Sequence, residues 1–133
     1  AEYPVDPQLA RTLIRAAELG CSAPVLTIAA MLSVPGGGVF LRPRDRQDQA
    51  DHRRAASFDH PDGDHLTLLT VFRKWEAAGR SPGWCAEHYV QHRSLQRAAD
   101  IRGQLRAIML RLGDPPDADS EDSAAIRRAL CAG

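Results

Sequence analysis

Leu95-Gln96-Arg97-Ala98-Ala99-Asp100-Ile101-Arg102-Gly103-Gln104-Leu105-Arg106-Ala107-Ile108-Met109-Leu110-Arg111-Leu112 is the stretch that decides the fold. Leu95, Ala98, Ile101, Leu105, Ile108 and Leu112 recur every three or four residues, which is one face of an α-helix about five turns long. Working toward the N-terminus, Ser81-Pro82 starts a short helix that shows Trp84, Cys85 and Tyr89. Before it, the turn His60-Pro61-Asp62-Gly63 leads into Asp64, whose carboxylate can accept amide bonds at the start of a helix bearing Leu68, Val71, Phe72 and Trp75; Gly79 closes that helix. From about Asp45 to Ser57 the chain is charged, with Ala50, Ala55 and Ala56 its only small apolar positions, so a helix there lies on the surface.

The first forty residues follow the same grammar. Asp6-Pro7 is a cap followed by proline at the first helical position, Leu9, Leu13, Ile14 and Ala17 form a stripe, and Gly20 stops it. Ser22 and Pro24 repeat the start signal, and Val25, Leu26, Ile28, Ala29 and Leu32 are apolar nearly all round until Pro35, which predicts the buried helix of the core. Gly36-Gly37-Gly38 frees the backbone, and Val39-Phe40-Leu41 before Pro43 reads as an extended linker pinned by its side chains. At the other end, Asp114 to Asp122 holds five carboxylates, two prolines and no basic residue, a solvated connector. Ser123 then caps a last helix carrying Ile126 and Leu130, which reaches Gly133 before its burial is complete. No alternating strand pattern runs beyond a few residues, so the expected fold is all-α, a helical bundle of about six to seven helices. Residues 1–112 form its helical body, and 113–133 form the acidic connector and a final helix leading onward.

At 133 residues the chain fits one domain and has no room for a two-lobed motor or a (β/α)8 barrel. Seventeen Lys and Arg balance seventeen Asp and Glu, so any attraction to nucleic acid must be local rather than global. The longest uncharged run, Leu19 to Leu41, is broken by Pro24, Pro35 and three glycines, which argues against a membrane span. Ala1 is not an initiator and nothing resembles a secretion signal, so the chain reads as part of something longer. Cys21, Cys85 and Cys131, odd in number and far apart, suit neither a disulfide framework nor a zinc knuckle and point to reduced intracellular thiols.

There is no Gly-rich loop ending in Lys and Ser or Thr, so the cradle for a nucleoside triphosphate is missing, and no Gly-x-Ser-x-Gly or His-Glu-x-x-His motif supports hydrolysis. Cys85, His88 and His92 are spaced to share a helical face and could ligate zinc, but a fourth ligand is lacking and Trp84 and Tyr89 beside them favour packing. His65 could carry a proton, or bond a neighbouring carboxylate at its helix start. The firmer feature is basic: arginines 93, 97, 102, 106 and 111 oppose only Glu87 and Asp100. They fall in two rows that could meet phosphates or be an ordinary solvated face.

Val5-Asp6-Pro7, Gly20-Cys21-Ser22, Ile28-Ala29-Ala30-Met31-Leu32-Ser33-Val34-Pro35, Gly63-Asp64-His65-Leu66-Thr67-Leu68-Leu69, Trp84-Cys85, Arg93-Ser94-Leu95 and Ile101-Arg102-Gly103-Gln104-Leu105 occur in an order and spacing that closely resemble the helicase-associated, ratchet-like domain of DEAH-box RNA helicases. The resemblance covers roughly residues 2 to 112, and Ile126-Arg127-Arg128-Ala129-Leu130 resembles the segment leading toward the family's C-terminal OB-fold. It implies a helical domain that packs on two RecA-like lobes, beside winged-helix and OB-fold domains, and completes a tunnel for single-stranded RNA during 3′ to 5′ translocation. ATP and Mg would be bound by lobes outside this chain. Splicing, a nuclear location and a glycine-rich (G-patch) protein partner belong to the same implication. Gly36-Gly37-Gly38, Arg73-Lys74-Trp75 and the acidic connector depart from the family pattern and leave the subgroup open. The RNA-facing candidates are Arg93, Ser94, Arg97 and Arg102, with Asp64, His65 and Thr67 as a second cluster. Arg102 has an equal alternative as a buried, ion-pairing arginine within the helix packing, flanked by Ile101 and Leu105. A different class of function is a protein-interaction module that docks helicase lobes or a cofactor without touching RNA. A freestanding metal-dependent enzyme lacks a complete ligand set.

Overall fold

The computed structural model describes residues 7–34, 40, 44–50, 52, 64–113 and 123–131. Its helices are α1 (Pro7–Leu19), α2 (Ser22–Leu32), α3 (Asp64–Ala77), α4 (Pro82–Glu87), α5 (His92–Arg111) and α6 (Ser123–Cys131), with a 3₁₀ turn at Arg44–Arg46 running into helical residues 47–50. The all-α expectation holds: among the described residues the only β pairing is a single antiparallel bridge between Phe40 and Val90. No described helix is long and apolar enough to cross a membrane.

Three helices stop at glycines for the same physical reason. A left-handed residue lets the next amides turn back onto the last free carbonyls, and glycine adopts it without a Cβ clash. After α1, Gly20 (φ 74°) donates to the Ala17 carbonyl and Cys21 to that of Ala16. After α3, Gly79 (φ 76°) donates to Glu76 and Arg80 to Trp75. Gly113 (φ 86°) ends α5. The fourth stop corrects the sequence reading. α4 ends at Glu87, short of Tyr89, because Tyr89 itself takes the left-handed conformation (φ 55°) and Val90 donates to the Cys85 carbonyl. Ser81 caps the start of α4, its Oγ accepting from the Trp84 amide at 3.3 Å.

The chain divides into two compact units, residues 1–30 with 99–133, and residues 31–98. In the first, Leu13, Ala16, Val25, Leu26, Ile28, Met109, Ile126 and Ala129 are buried. The predicted burial of α2 is therefore observed, with Leu32 at its end the exception at 54% exposed. α6 packs on α1, which buries Ile126 and Ala129 and leaves Leu130 half-buried. In the second unit the core is Leu66, Leu69, Val71, Phe72, Trp75, Cys85, Val90 and Leu95, and the Phe72 and Trp75 rings meet at 5.5 Å. Residues 45–49 are exposed and Ala50 is buried, as expected of a surface segment. Asp6, the turn at 60–63, the linker residues Val39 and Leu41, and the acidic connector lie outside the described residues.

Candidate nucleic-acid interface

Within residues 31–98 the side chains that meet are Trp75, Cys85 and His92. Trp75 is fully buried, and its indole N–H donates to His92 Nδ1 at 3.2 Å. An indole nitrogen is a donor only, so Nδ1 is the acceptor and the His92 proton sits on Nε2. Cys85 Sγ lies 3.7 Å from the same nitrogen, and burial pushes the Cys85 thiol above its usual range. A buried thiol held protonated is inert as a nucleophile or metal ligand. His88 faces elsewhere: its ring stacks on Trp84 at 4.4 Å and its Nδ1 lies 2.8 Å from the Trp84 carbonyl. The shared helical face expected for Cys85, His88 and His92 is therefore absent, since the left-handed turn at Tyr89 separates α4 from α5. No three His, Cys, Asp or Glu among the described residues are placed to hold a metal ion.

All the RNA-facing candidates except Asp64 have a described side-chain environment. Arg93 and Arg97 are exposed on consecutive turns of α5, and neither has an ion-pair or hydrogen-bond partner among the described residues. Four residues along an α-helix rise about 6 Å, so the two guanidinium stems leave the same face one turn apart. The first turn of α5 carries no acidic residue, and no side chain caps its amides among the described residues. Ser94 is buried, and its hydroxyl donates to Gln91 Oε1 at 2.9 Å. Thr67 is 2% exposed on the inner side of α3, so its hydroxyl also faces protein. His65 is exposed and has no hydrogen bond among the described residues; the side chains of the neighbouring Asp62 and Asp64 lie outside them. Asp64 begins α3, but its side chain lies outside the described residues.

Arg102 is half-buried. Its Nε donates to Thr27 Oγ1 at 2.8 Å and its Nη2 to the Ala23 carbonyl at 3.2 Å, while Thr27 Oγ1 itself donates to Ala23 O at 3.2 Å. The guanidinium thereby engages α2 through two neutral acceptors, a hydroxyl and a carbonyl. Sequence reasoning missed Thr27 as its partner. The available signal was a lone hydroxyl in the middle of an otherwise apolar, buried helix, where a polar group must find a bond.

The family model described as helicase associated domain (HA2), ratchet-like, matches residues 6–68. Over all 133 residues the chain is 46% identical to the pre-mRNA-splicing factor ATP-dependent RNA helicase prp22 of Schizosaccharomyces pombe, and it covers 11% of that protein's length.

Proposed function

Because the chain belongs to the helicase-associated, ratchet-like domains of DEAH-box RNA helicases, we propose that it forms one wall of a single-stranded RNA channel completed by RecA-like lobes elsewhere in the same polypeptide. The lobes would bind ATP and Mg and drive 3′ to 5′ translocation, with winged-helix and OB-fold domains as further intramolecular neighbours. The observation that carries this is the pair Arg93 and Arg97, on one exposed face at the amino end of α5 and without a partner among the described residues. Guanidinium groups one turn apart, beside uncapped helix amides, suit phosphate contacts that hold a strand without reading its bases. Ser94 and Arg102 serve this wall from behind, by fixing the first turn and the middle of α5. By relationship to a splicing helicase, the parent protein would act on pre-mRNA in the nucleus, and a G-patch protein is a candidate activator.

The test is the R93A/R97A double variant in the complete helicase, with single-stranded RNA affinity followed across a salt series. Removing two phosphate contacts should lower affinity by about tenfold and flatten the logarithmic salt dependence by about 1.4, at roughly 0.7 per contact for single strands. An unchanged slope would remove these arginines from the RNA path. A second reading, docking without RNA contact, is favoured by the exposed aliphatic side chains Leu32 and Leu110, the latter 52% accessible. That reading predicts R93A/R97A to be silent in RNA binding and L110D to lower RNA-stimulated ATP hydrolysis.

A further inference from the structure

We propose that Gln96 reads the sugar of the bound strand, its side-chain amide exchanging hydrogen bonds with a ribose 2′-hydroxyl that lies between the phosphates held by Arg93 and Arg97; this rests on the RNA-channel reading above. All three residues belong to α5 within the unit 31–98, and all three are exposed. None has a hydrogen-bond or ion-pair partner among the described residues, so the Gln96 amide is not used by the described fold. The face they share is set inside the same unit. Leu95 and Ala98 are buried, the Trp75 indole donates to His92 at 3.2 Å, and the Ser94 hydroxyl donates to Gln91 at 2.9 Å. With 94, 95 and 98 on the inner side, positions 93, 96 and 97 form the outer one. Gln96 stands about 4.5 Å along the helix axis from Arg93 and about 1.5 Å short of Arg97, on one flank of the line joining the two arginines. The next exposed position after Arg97 is Asp100, a carboxylate, which confines the anion-binding part of this face to residues 93–97.

The chemistry of the three side chains differs in one respect that matters. A guanidinium has only donors and a phosphate oxygen only accepts, so Arg93 and Arg97 can grip any phosphodiester strand and treat ribose and deoxyribose alike. A primary amide has both functions: its carbonyl accepts and its NH2 donates. Its match on a nucleic-acid backbone is the group that also does both, the 2′-hydroxyl, which DNA lacks. The sugar lies between successive phosphates, and the amide lies between the two guanidinium-bearing positions along α5. A phosphate–ribose–phosphate backbone therefore meets an Arg–Gln–Arg face. Once the flanking phosphates are held, the hydroxyl is delivered to the amide as an intramolecular event, which favours a contact too weak to form alone.

The experiment compares the complete helicase with its Q96A, Q96L and R93A/R97A variants. Affinity is read for an oligouridylate and for the oligodeoxyuridylate of the same length at one salt concentration, two probes that differ only at the 2′ position. Alanine and leucine are strong helix formers and position 96 is exposed, so both Gln96 variants keep α5. Q96A and Q96L are each expected to weaken oligouridylate binding by about fivefold, the worth of one hydrogen bond, and to leave oligodeoxyuridylate binding unchanged. R93A/R97A should weaken both probes alike, by about tenfold, and so preserve their ratio. Equal losses on the two probes in the Gln96 variants, or no loss on either, overturn the sugar contact; the channel reading survives that result as long as R93A/R97A binds weakly. Full affinity of R93A/R97A for both probes instead overturns the channel reading and the sugar contact with it.

Discussion

Gly103→Ala should stabilise the chain, whereas the same substitution at Gly20, Gly79 or Gly113 should destabilise it. Gly103 sits inside α5, is exposed, and has ordinary helical backbone; a Cβ built there meets nothing within 4 Å. Alanine in that setting relieves the helix of its glycine penalty, about 0.8–1.0 kcal/mol. For a chain of this size such a gain corresponds to a rise in Tm of about 3–5 °C. The other three glycines also have open space for a Cβ, so sterics with neighbours does not distinguish them. Their φ values of 74°, 76° and 86° do. An L side chain in that region costs about 1–2 kcal/mol, only partly offset by a stiffer unfolded chain. Thermal unfolding of the four single variants, followed by far-ultraviolet circular dichroism, should give one upward and three downward shifts. A neutral or destabilising G103A would refute the claim that α5 is an unbroken helix through its centre with residue 103 facing water.

Three other outcomes follow from single buried, thiol and capping groups. H92A leaves the buried Trp75 N–H without an acceptor and should cost about 1–3 kcal/mol; a double-mutant cycle with W75F should return a coupling near 1 kcal/mol, and a zero coupling would deny the bond. In iodoacetamide labelling of the native chain at neutral pH, exposed Cys131 should react while Cys21 and Cys85 stay protected. Rapid labelling of Cys85 would contradict a thiol buried and shifted toward its protonated form. S81A removes the cap of a six-residue helix and should lower stability by about 1 kcal/mol in chemical denaturation, with S81D retaining most of it.

Most of the fold was legible because most helix ends here use residues with strong conformational preferences. Pro7 and Ser81-Pro82 mark starts, and Gly20 and Gly79 mark stops that coincide with observed left-handed turns. The end of α4 was illegible for a matching reason. Its left-handed residue is Tyr89, a poor occupant of that region, kept there by context: its hydroxyl donates to Gln49 Oε1 at 3.0 Å, forty residues away in sequence. A local pattern cannot show a long-range bond that offsets a local penalty. Arg80 is the parallel case beside Gly79. Its own φ is 56°, and its guanidinium lies 5.1 Å from the centroid of the Trp75 ring while pairing with Glu76 at 2.9 Å. These contacts occupy the place where such helix ends often put a hydrophobic residue against the last turn.

The site was legible in kind but not residue by residue, and α5 shows why. Spacing alone placed Arg93, Arg97 and Arg102 in neighbouring rows, because an arginine stem is long enough to lie on either side of a helix boundary and still reach a partner. What separates them is whether an acceptor waits at the end of the stem. For Arg102 two do, a hydroxyl and a carbonyl of α2, and α2 precedes it by about seventy-five residues. For Arg93 and Arg97 none does among the described residues, so their charge remains available to an anion from outside. The same distinction sorts the hydroxyls. Ser94 is spent on Gln91, three residues away, and so steadies the turn that presents Arg93 rather than meeting a phosphate. On the proposed RNA-channel reading, α5 divides its arginines between holding the wall and facing the strand. If that division is right, charge reversal at 93 or 97 should reduce RNA affinity with little change in Tm, while reversal at 102 should lower Tm first.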